Sequence, residues 1–190
     1  MREAIFFDLE MDGLGIDCQI IQIAAAAVDL NTWKVLGTRE WKCKFDESKS
    51  NPDALAINHY DHDVWAKHAV PLGEAMDEFH AFCSEHKTVA NIAKKTGRTW
   101  YSCQLAGFNT EGFDMPILQR YWKGRGIFFC GTLWSLDVLQ LARWRTLHRT
   151  DLPNNKLATL CEKFGIEHKA HDALGDVLAT VELARRLLHE

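Results

Sequence analysis

Acidic side chains carry the first chemical signal in this chain. Phe6-Phe7-Asp8-Leu9-Glu10 sets two carboxylates at alternate positions behind an apolar run. If Ala4 to Glu10 is a strand, Asp8 and Glu10 share one face, about 7 Å apart. Two ionised acids held side by side repel each other unless a cation lies between them. Taken alone, the segment also reads as Glu10 and Asp12 opening a solvated loop. Asp114 heads a helical stripe of Ile117, Leu118, Tyr121 and Trp122, with Pro116 in the first turn. That acid reads either as a helix cap or as a carboxylate aimed at a site. Asp176 falls on the same arc of a final helix as Ala173, Val177, Thr180, Leu183, Ala184 and Leu187, with Glu182, Arg186 and His189 opposite. A carboxylate on a buried arc costs several kcal/mol unless it is paired or metal-bound. His171 stands five residues before Asp176.

Acids from three separate elements, with an imidazole beside them, describe one device. Carboxylate oxygens suit Mg²⁺ and Mn²⁺, and the absence of a clustered Cys/His ligand set argues against zinc. A pair of such ions hydrolyses phosphodiesters, one activating water and the other stabilising the leaving oxygen.

The surrounding elements must bring those acids together. The chain has 190 residues, 47% of them apolar and 25% charged, as expected of one globular domain spanning 1–190. Ala4–Glu10, Ile20–Leu30 and Trp33–Phe45 read as an antiparallel meander. Asp53–His59 and Asp61–His68 read as short helices, and a longer helix is predicted from Pro71 to about Gly97. Strand character returns over Tyr101–Phe108 and Ile127–Cys130. Helices are expected over Asp114–Trp122, Ser135–Leu147, Lys156–Phe164 and Ala173–Leu188. Strands first, then helix–strand alternation, predict a mixed α/β sheet with helices on both faces.

Three segments together resemble the motifs of the DEDDh 3′–5′ exonuclease superfamily, which includes the proofreading exonucleases. They are Asp8-Leu9-Glu10, the stretch from Asn109 to Asp114 within Gly-Phe-Asn-Thr-Glu-Gly-Phe-Asp-Met-Pro-Ile-Leu, and His171-Asp-Ala-Leu-Gly-Asp176. The motifs look closest to the three-prime repair exonucleases, and Asp-Leu-Glu-Met is also similar to oligoribonuclease. The resemblance runs from residue 4 to about residue 188. It implies a ribonuclease H-like fold with a five-stranded mixed sheet, and hydrolysis of nucleic acid from the 3′ end to 5′-mononucleotides. Carried over, Asp8, Glu10, Asp114 and Asp176 would hold two Mg²⁺ or Mn²⁺ ions, and His171 would be the general base. Asp172 stands where the tyrosine branch of the superfamily has its Tyr, so the histidine branch fits better. Met11, Gly13, Leu14, His59 and Asn109 would contact the 3′ nucleotide, with Leu14 as the wedge and Ala54–His59 as a closing helix. Two departures touch this region: Met11-Asp12 replaces a small residue and Thr, adding a fifth acid, and Phe108 replaces a His.

The expected partner is the 3′ end of single-stranded or frayed DNA or RNA, with protein partners unknown. Arg143, Arg145, His148 and Arg149 around Trp144 form one candidate track for that strand, and Lys94, Lys95 and Arg98 form another. The net charge of −4 excludes a protein that coats nucleic acid by bulk charge. No apolar run approaches the ~20 residues of a membrane span, and the start of the chain lacks the shape of a signal peptide. The six cysteines are scattered without a CxxC pair, which reads as a reduced, intracellular protein, cytoplasmic or nuclear and not secreted. A catalytically idle binding or structural subunit with the same fold is the competing reading.

Overall fold

Alternation along the first strand decides which side of the sheet the acids occupy. Strand β1 (Glu3–Met11) sends Ile5, Phe7, Leu9 and Met11 into one apolar core, and Ala4 and Phe6 into another. With a period of two, Asp8 and Glu10 continue the face of Ala4 and Phe6. The computed structural model describes residues 2–15 and 17–189, so Met1, Ile16 and Glu190 lie outside the described residues.

Strands β2 (Ile20–Asp29) and β3 (Lys34–Lys44) follow antiparallel to their neighbours, as the predicted meander requires. Strand β2 is buried throughout, and its alanines pair with β1 at Asp8↔Ala24 and Phe6↔Ala26. Helices α1 (Pro52–Ile57) and α2 (His62–His68) come next. Their first turns are capped by the side chains of Asn51 and Asp61, which satisfy amides that a short helix leaves open. Then follow β4 (Val70–Pro71), α3 (Leu72–Glu85), β5 (Val89–Ile92), β6 (Thr99–Ser102) and β7 (Gln104–Gly107). The chain closes with α4 (Asp114–Arg125), β8 (Leu136–Asp137), α5 (Val138–Arg145), α6 (Leu157–Lys163) and α7 (Ala173–His189).

The main sheet runs β4-β3-β2-β1-β7-β8. It has six strands rather than five, and the two at its edges are only two residues long. Strands β1, β7 and β8 are parallel. One face packs on Met76 and Phe79 of α3 and on Leu118 and Trp122 of α4. The other packs on Val177, Leu183 and Leu187 of α7, with Val138 of α5 and Leu160 of α6. Each such buried side chain stabilises the fold by about 1.5–3 kcal/mol. The arc drawn for the last helix is the buried one: Ala173, Val177, Thr180, Leu183, Ala184 and Leu187 are all within 3% of full burial. Five of the cysteines are buried, Cys18 is half-buried, and all six are unpaired.

Four expected elements differ, the first being Tyr101–Phe108, which divides at Cys103 into β6 and β7 in separate sheets. The helix from Pro71 ends at Glu85, because His86 turns out of helical geometry and its ring pairs with Glu3 at 2.7 Å. Beyond it, β5 and β6 form a separate antiparallel hairpin. Its turn closes through Gly97, whose φ of +67° suits glycine. The helical spacing of Val89 and Ala93 is therefore a coincidence of period. Ile127–Cys130 runs without a strand, and the nearest ladder contact is a lone bridge from Cys103 to Gly131. Ser135–Leu147 is split: Leu136–Asp137 joins the sheet edge, and the Asp137 side chain caps α5 by accepting from Leu139 and Gln140.

Candidate active site

The acids meet at the C-terminal end of β1. Asp114 is the first residue of α4, but Phe113 holds the cap position and makes no side-chain cap bond. The Asp114 carboxylate instead accepts the Leu9 amide of β1 at 3.1 Å. This residue is 3% exposed, so its carboxylate serves the strand and the site rather than the open end of its helix. Gly107 makes the approach from β7 possible. A Cβ there would lie 2.7 Å from the Phe7 carbonyl oxygen and 2.4 Å from Thr110 Cγ2. The loop after it is held by Asp137, which accepts from the amides of Asn109 and Glu111.

Helix α7 supplies the opposite side. Its first turn carries Asp176 over the face of β1 that bears Asp8 and Glu10. The His171 amide donates to Asp176 Oδ2 at 3.3 Å, with His171 at φ +62°. His168, not anticipated from the sequence, bonds Asp176 Oδ1 through Nε2 at 2.6 Å, and its side chain is 7% exposed. Glu10, His171 and Asp176 each offer a ligand atom, all within 4.8 Å of one another.

Electrostatics joins Asp8 and Asp114 to that set. Burial pushes the Asp8 carboxyl well above the usual range, and the charges of Asp114, Glu10 and Asp176 push it further. Burial, then Asp176, raises Glu10 to about 7. Burial raises Asp114 to about 8, against the lowering effect of the Leu9 amide. Asp176 is raised by burial, and its bond to His168 opposes the rise. Four carboxyls that resist ionisation in one place are a donor set matched to a hard divalent cation, whose charge would reverse each shift. The chemistry of the set, carboxylate oxygens with one imidazole, fits Mg²⁺ or Mn²⁺.

A groove of about 420 Å³ opens beside these residues, lined in part by Glu10, Met11, Gly13, Leu14, Phe113 and His171. Leu14 stands 91% exposed at its rim. Ala54 and Ile57 of α1 line the other wall, where the closing helix was expected. His59 lies in an adjoining depression shared with Asn58 and His171. Asn109 lines neither, and its backbone N–H donates to Asp137. The fifth acid is not part of the cluster. Asp12 is 4% exposed and accepts from the Gln19 amide, Gln19 Nε2 and Ser50 Oγ at 2.6, 2.6 and 2.9 Å. Asn58 donates to the Met11 carbonyl at 2.7 Å, so α1 is tied directly to the end of β1. Phe108 packs against the α7 core.

The arginines at and after the end of α5 gather away from the acids. Arg145 and Arg149 line a depression of about 450 Å³ with Trp144, Phe164 and Leu187. Leu187 lies eleven residues along α7 from Asp176, about 16 Å at helical rise. Arg149 is paired with Asp151. A larger, mainly apolar cavity of about 540 Å³ is bordered by Phe6, Trp33, Leu141 and Leu188. Its one acid, Asp137, is already engaged as the α5 cap. No helix among the described residues is long and apolar enough to cross a membrane.

No family model and no curated protein matches the chain. Solved structures do. E. coli exonuclease I in complex with a dT13 oligonucleotide aligns with a TM-score of 0.75 at 21% identity, over 98% of this chain and 41% of that one. The zinc-bound form of E. coli exonuclease I with single-stranded DNA aligns at 0.75 and 21%, over 99% and 42%. A moderately thermophilic exonuclease I from Methylocaldum szegediense aligns at 0.75 and 20%, over 100% and 40%. The chain thus spans about two fifths of the length of these proteins. It has their ribonuclease H-like α/β fold.

Proposed function

We propose that this chain is a metal-dependent 3′–5′ exonuclease that shortens single-stranded or frayed nucleic acid to 5′-mononucleotides. The observation that carries the reading is the convergence of Asp8 and Glu10 from β1, Asp114 from α4, and His171 and Asp176 from the start of α7. The fold shared with exonuclease I, two of whose structures hold single-stranded DNA, supports the same substrate class. Within the DEDDh superfamily the motifs resemble the three-prime repair exonucleases, while the structural likeness found is to exonuclease I. The chain is read as one such domain of an intracellular protein, with DNA and RNA as alternative substrates.

Asp8, Glu10, Asp114 and Asp176 would hold two Mg²⁺ or Mn²⁺ ions. When bound, those ions would acidify a water and neutralise charge on the leaving oxygen. His171 takes the proton of the attacking water as its oxygen bonds to phosphorus. The bond from phosphorus to the 3′ oxygen of the penultimate nucleotide breaks, and that oxygen takes a proton from solvent, leaving a shortened strand with a 3′ hydroxyl and a 5′-mononucleotide. His168 holds Asp176 in place through the other carboxylate oxygen. Leu14 and Phe113, at the groove, bear on the terminal base, and α1 covers it.

The test is digestion of 5′-labelled dT20 and rU20 with Mg²⁺, with Mn²⁺ and with chelator. Stepwise shortening from the 3′ end that stops in chelator is expected. Asp8→Ala should lower the rate at least a thousandfold with an unchanged circular dichroism spectrum. Full activity of that variant, or a folded wild-type protein that leaves both strands intact with either metal, overturns the reading.

A further inference from the structure

The β5–β6 hairpin belongs to no part of the site described above, yet it lies in a stretch whose charged side chains are all basic. No acid occurs between Glu85 and Glu111, in a chain whose net charge is −4. That stretch holds Lys87, Lys94, Lys95 and Arg98, all exposed. None of the ion pairs among the described residues involves any of the four. Lys94 and Lys95 sit in the turn, which closes by bonds from the Gly97 amide to the Ala93 carbonyl at 2.8 Å and from the Ala93 amide to the Arg98 carbonyl at 2.9 Å.

Register divides the hairpin into two faces. Ala90 pairs with Tyr101 and Ile92 with Thr99, so these four side chains share one side. All four are exposed, Tyr101 at 56% and Ile92 at 72%. The other side carries Trp100, which meets the Phe128 ring edge-on at 5.4 Å, and Phe128 is itself 71% exposed. A tip of unpaired cations above an open aromatic face is the combination that holds an unpaired polynucleotide, phosphates on the cations and a base on the ring.

The root of the hairpin is fixed to the far end of β1: the Glu3 amide donates to Thr88 Oγ1 at 3.2 Å, and Glu3 bonds His86. Glu3 and Glu10 are seven residues apart on that strand, about 23 Å at strand rise. We propose that the hairpin is a second polynucleotide-binding site, which grips the phosphodiester backbone of a single strand several nucleotides away from the 3′ end held at the acids. This rests on the exonuclease reading for what lies at the acids, but not for the binding itself. A strand reaching from the acids to the root of the hairpin needs about seven nucleotides at stacked spacing, and a strand reaching the cations at its tip is no shorter. A trinucleotide cannot reach.

The experiment compares wild type with a K94E/K95E/R98E triple variant and with Tyr101→Ala, all solvent-exposed changes checked by thermal melting. Binding of fluorescein-labelled dT20 and rU20 is read by anisotropy in chelator, where nothing is cut. The triple variant should weaken binding at least tenfold and lower the salt slope by about two to three. Tyr101→Ala should weaken it at least fivefold. An effect confined to dT20 or to rU20 assigns the natural strand as DNA or RNA. With Mg²⁺, the triple variant should raise KM for the long strand and leave dT3 hydrolysis unchanged. Equal affinity of wild type and triple variant for both long strands overturns the proposal. A wild-type protein that binds long strands through the hairpin but cuts none would sink the exonuclease reading and leave this site standing.

Discussion

At the scale of single residues, the raised carboxyls make a pH prediction whose sign is unusual for acids. Glu10 and Asp114 are lifted to about 7 and about 8 from ordinary values near 4. The folded state therefore holds protons that the unfolded chain releases. With metal chelated, the contribution of these carboxyls to stability is fully present below about pH 4 and is lost as pH rises through about 8. Melts in chelator should give a lower Tm at pH 8 than at pH 5.5, by several degrees. Added Mg²⁺ should remove most of that slope, because the cation takes over the role of the protons. A Tm in chelator that climbs across this range would contradict the clustering. Asp8→Asn, which removes one of the repelling charges, should flatten the slope without metal.

At the scale of elements, Asp12 separates two ways an acid can matter near a site. It holds the turn at Gln19, and Ser50 two residues before α1, through three hydrogen bonds. Asp12→Ala leaves those donors without a partner and should cost about 1–3 kcal/mol. That corresponds to roughly 2–10 °C in Tm for a chain this long. Because α1 covers the groove, KM for dT20 should rise several-fold while kcat stays within about twofold. A kcat loss as large as that of Asp8→Ala would place Asp12 among the metal-holding acids instead.

Elements also set what could be foreseen. The acids were legible because residue type and period agree: Asp8 and Glu10 continue the face of Ala4 and Phe6, and Asp176 sits on an apolar arc that no solvated acid would choose. The hairpin was not, because Ala75, Phe79, Phe82, Val89 and Ala93 fit a helical spacing that runs past the true end at Glu85. What stops the helix is a long-range contact, His86 with Glu3, and no local signal carries it. His168 was missed for a related reason. Its partner is eight residues away in sequence but adjacent in space only once α7 is docked. Asp12 read as a fifth acid beside the site because it follows Glu10 in sequence, whereas its hydrogen-bond donors lie at Gln19 and Ser50.

For the molecule as a whole, metal and fold should be linked. Unfolding scatters acids drawn from β1, α4 and α7, so a cation held by them would bind the folded state alone. Mg²⁺ at about a hundred times its Kd should add about 2.7 kcal/mol, near 5–10 °C in Tm. Calorimetry at 10 mM Mg²⁺ against chelator checks this, and an unmoved Tm counts against the site. Fluorescence of the hairpin Trp100 should not respond to metal, since Glu3 ties that region to the other end of β1.

The alanine run of β2 has a reach beyond the core it fills. Ala24 and Ala26 lie under α7, beside Asp8 and Phe6. Their methyl groups thus act as the shims that fix how near Asp176 comes to Glu10. A bulkier residue at position 26 would wedge the helix outward and spread the ligand atoms while every acid stayed in the sequence. Loss of turnover from such a variant would look like damage to the chemistry, though its cause would be carpentry in the interior.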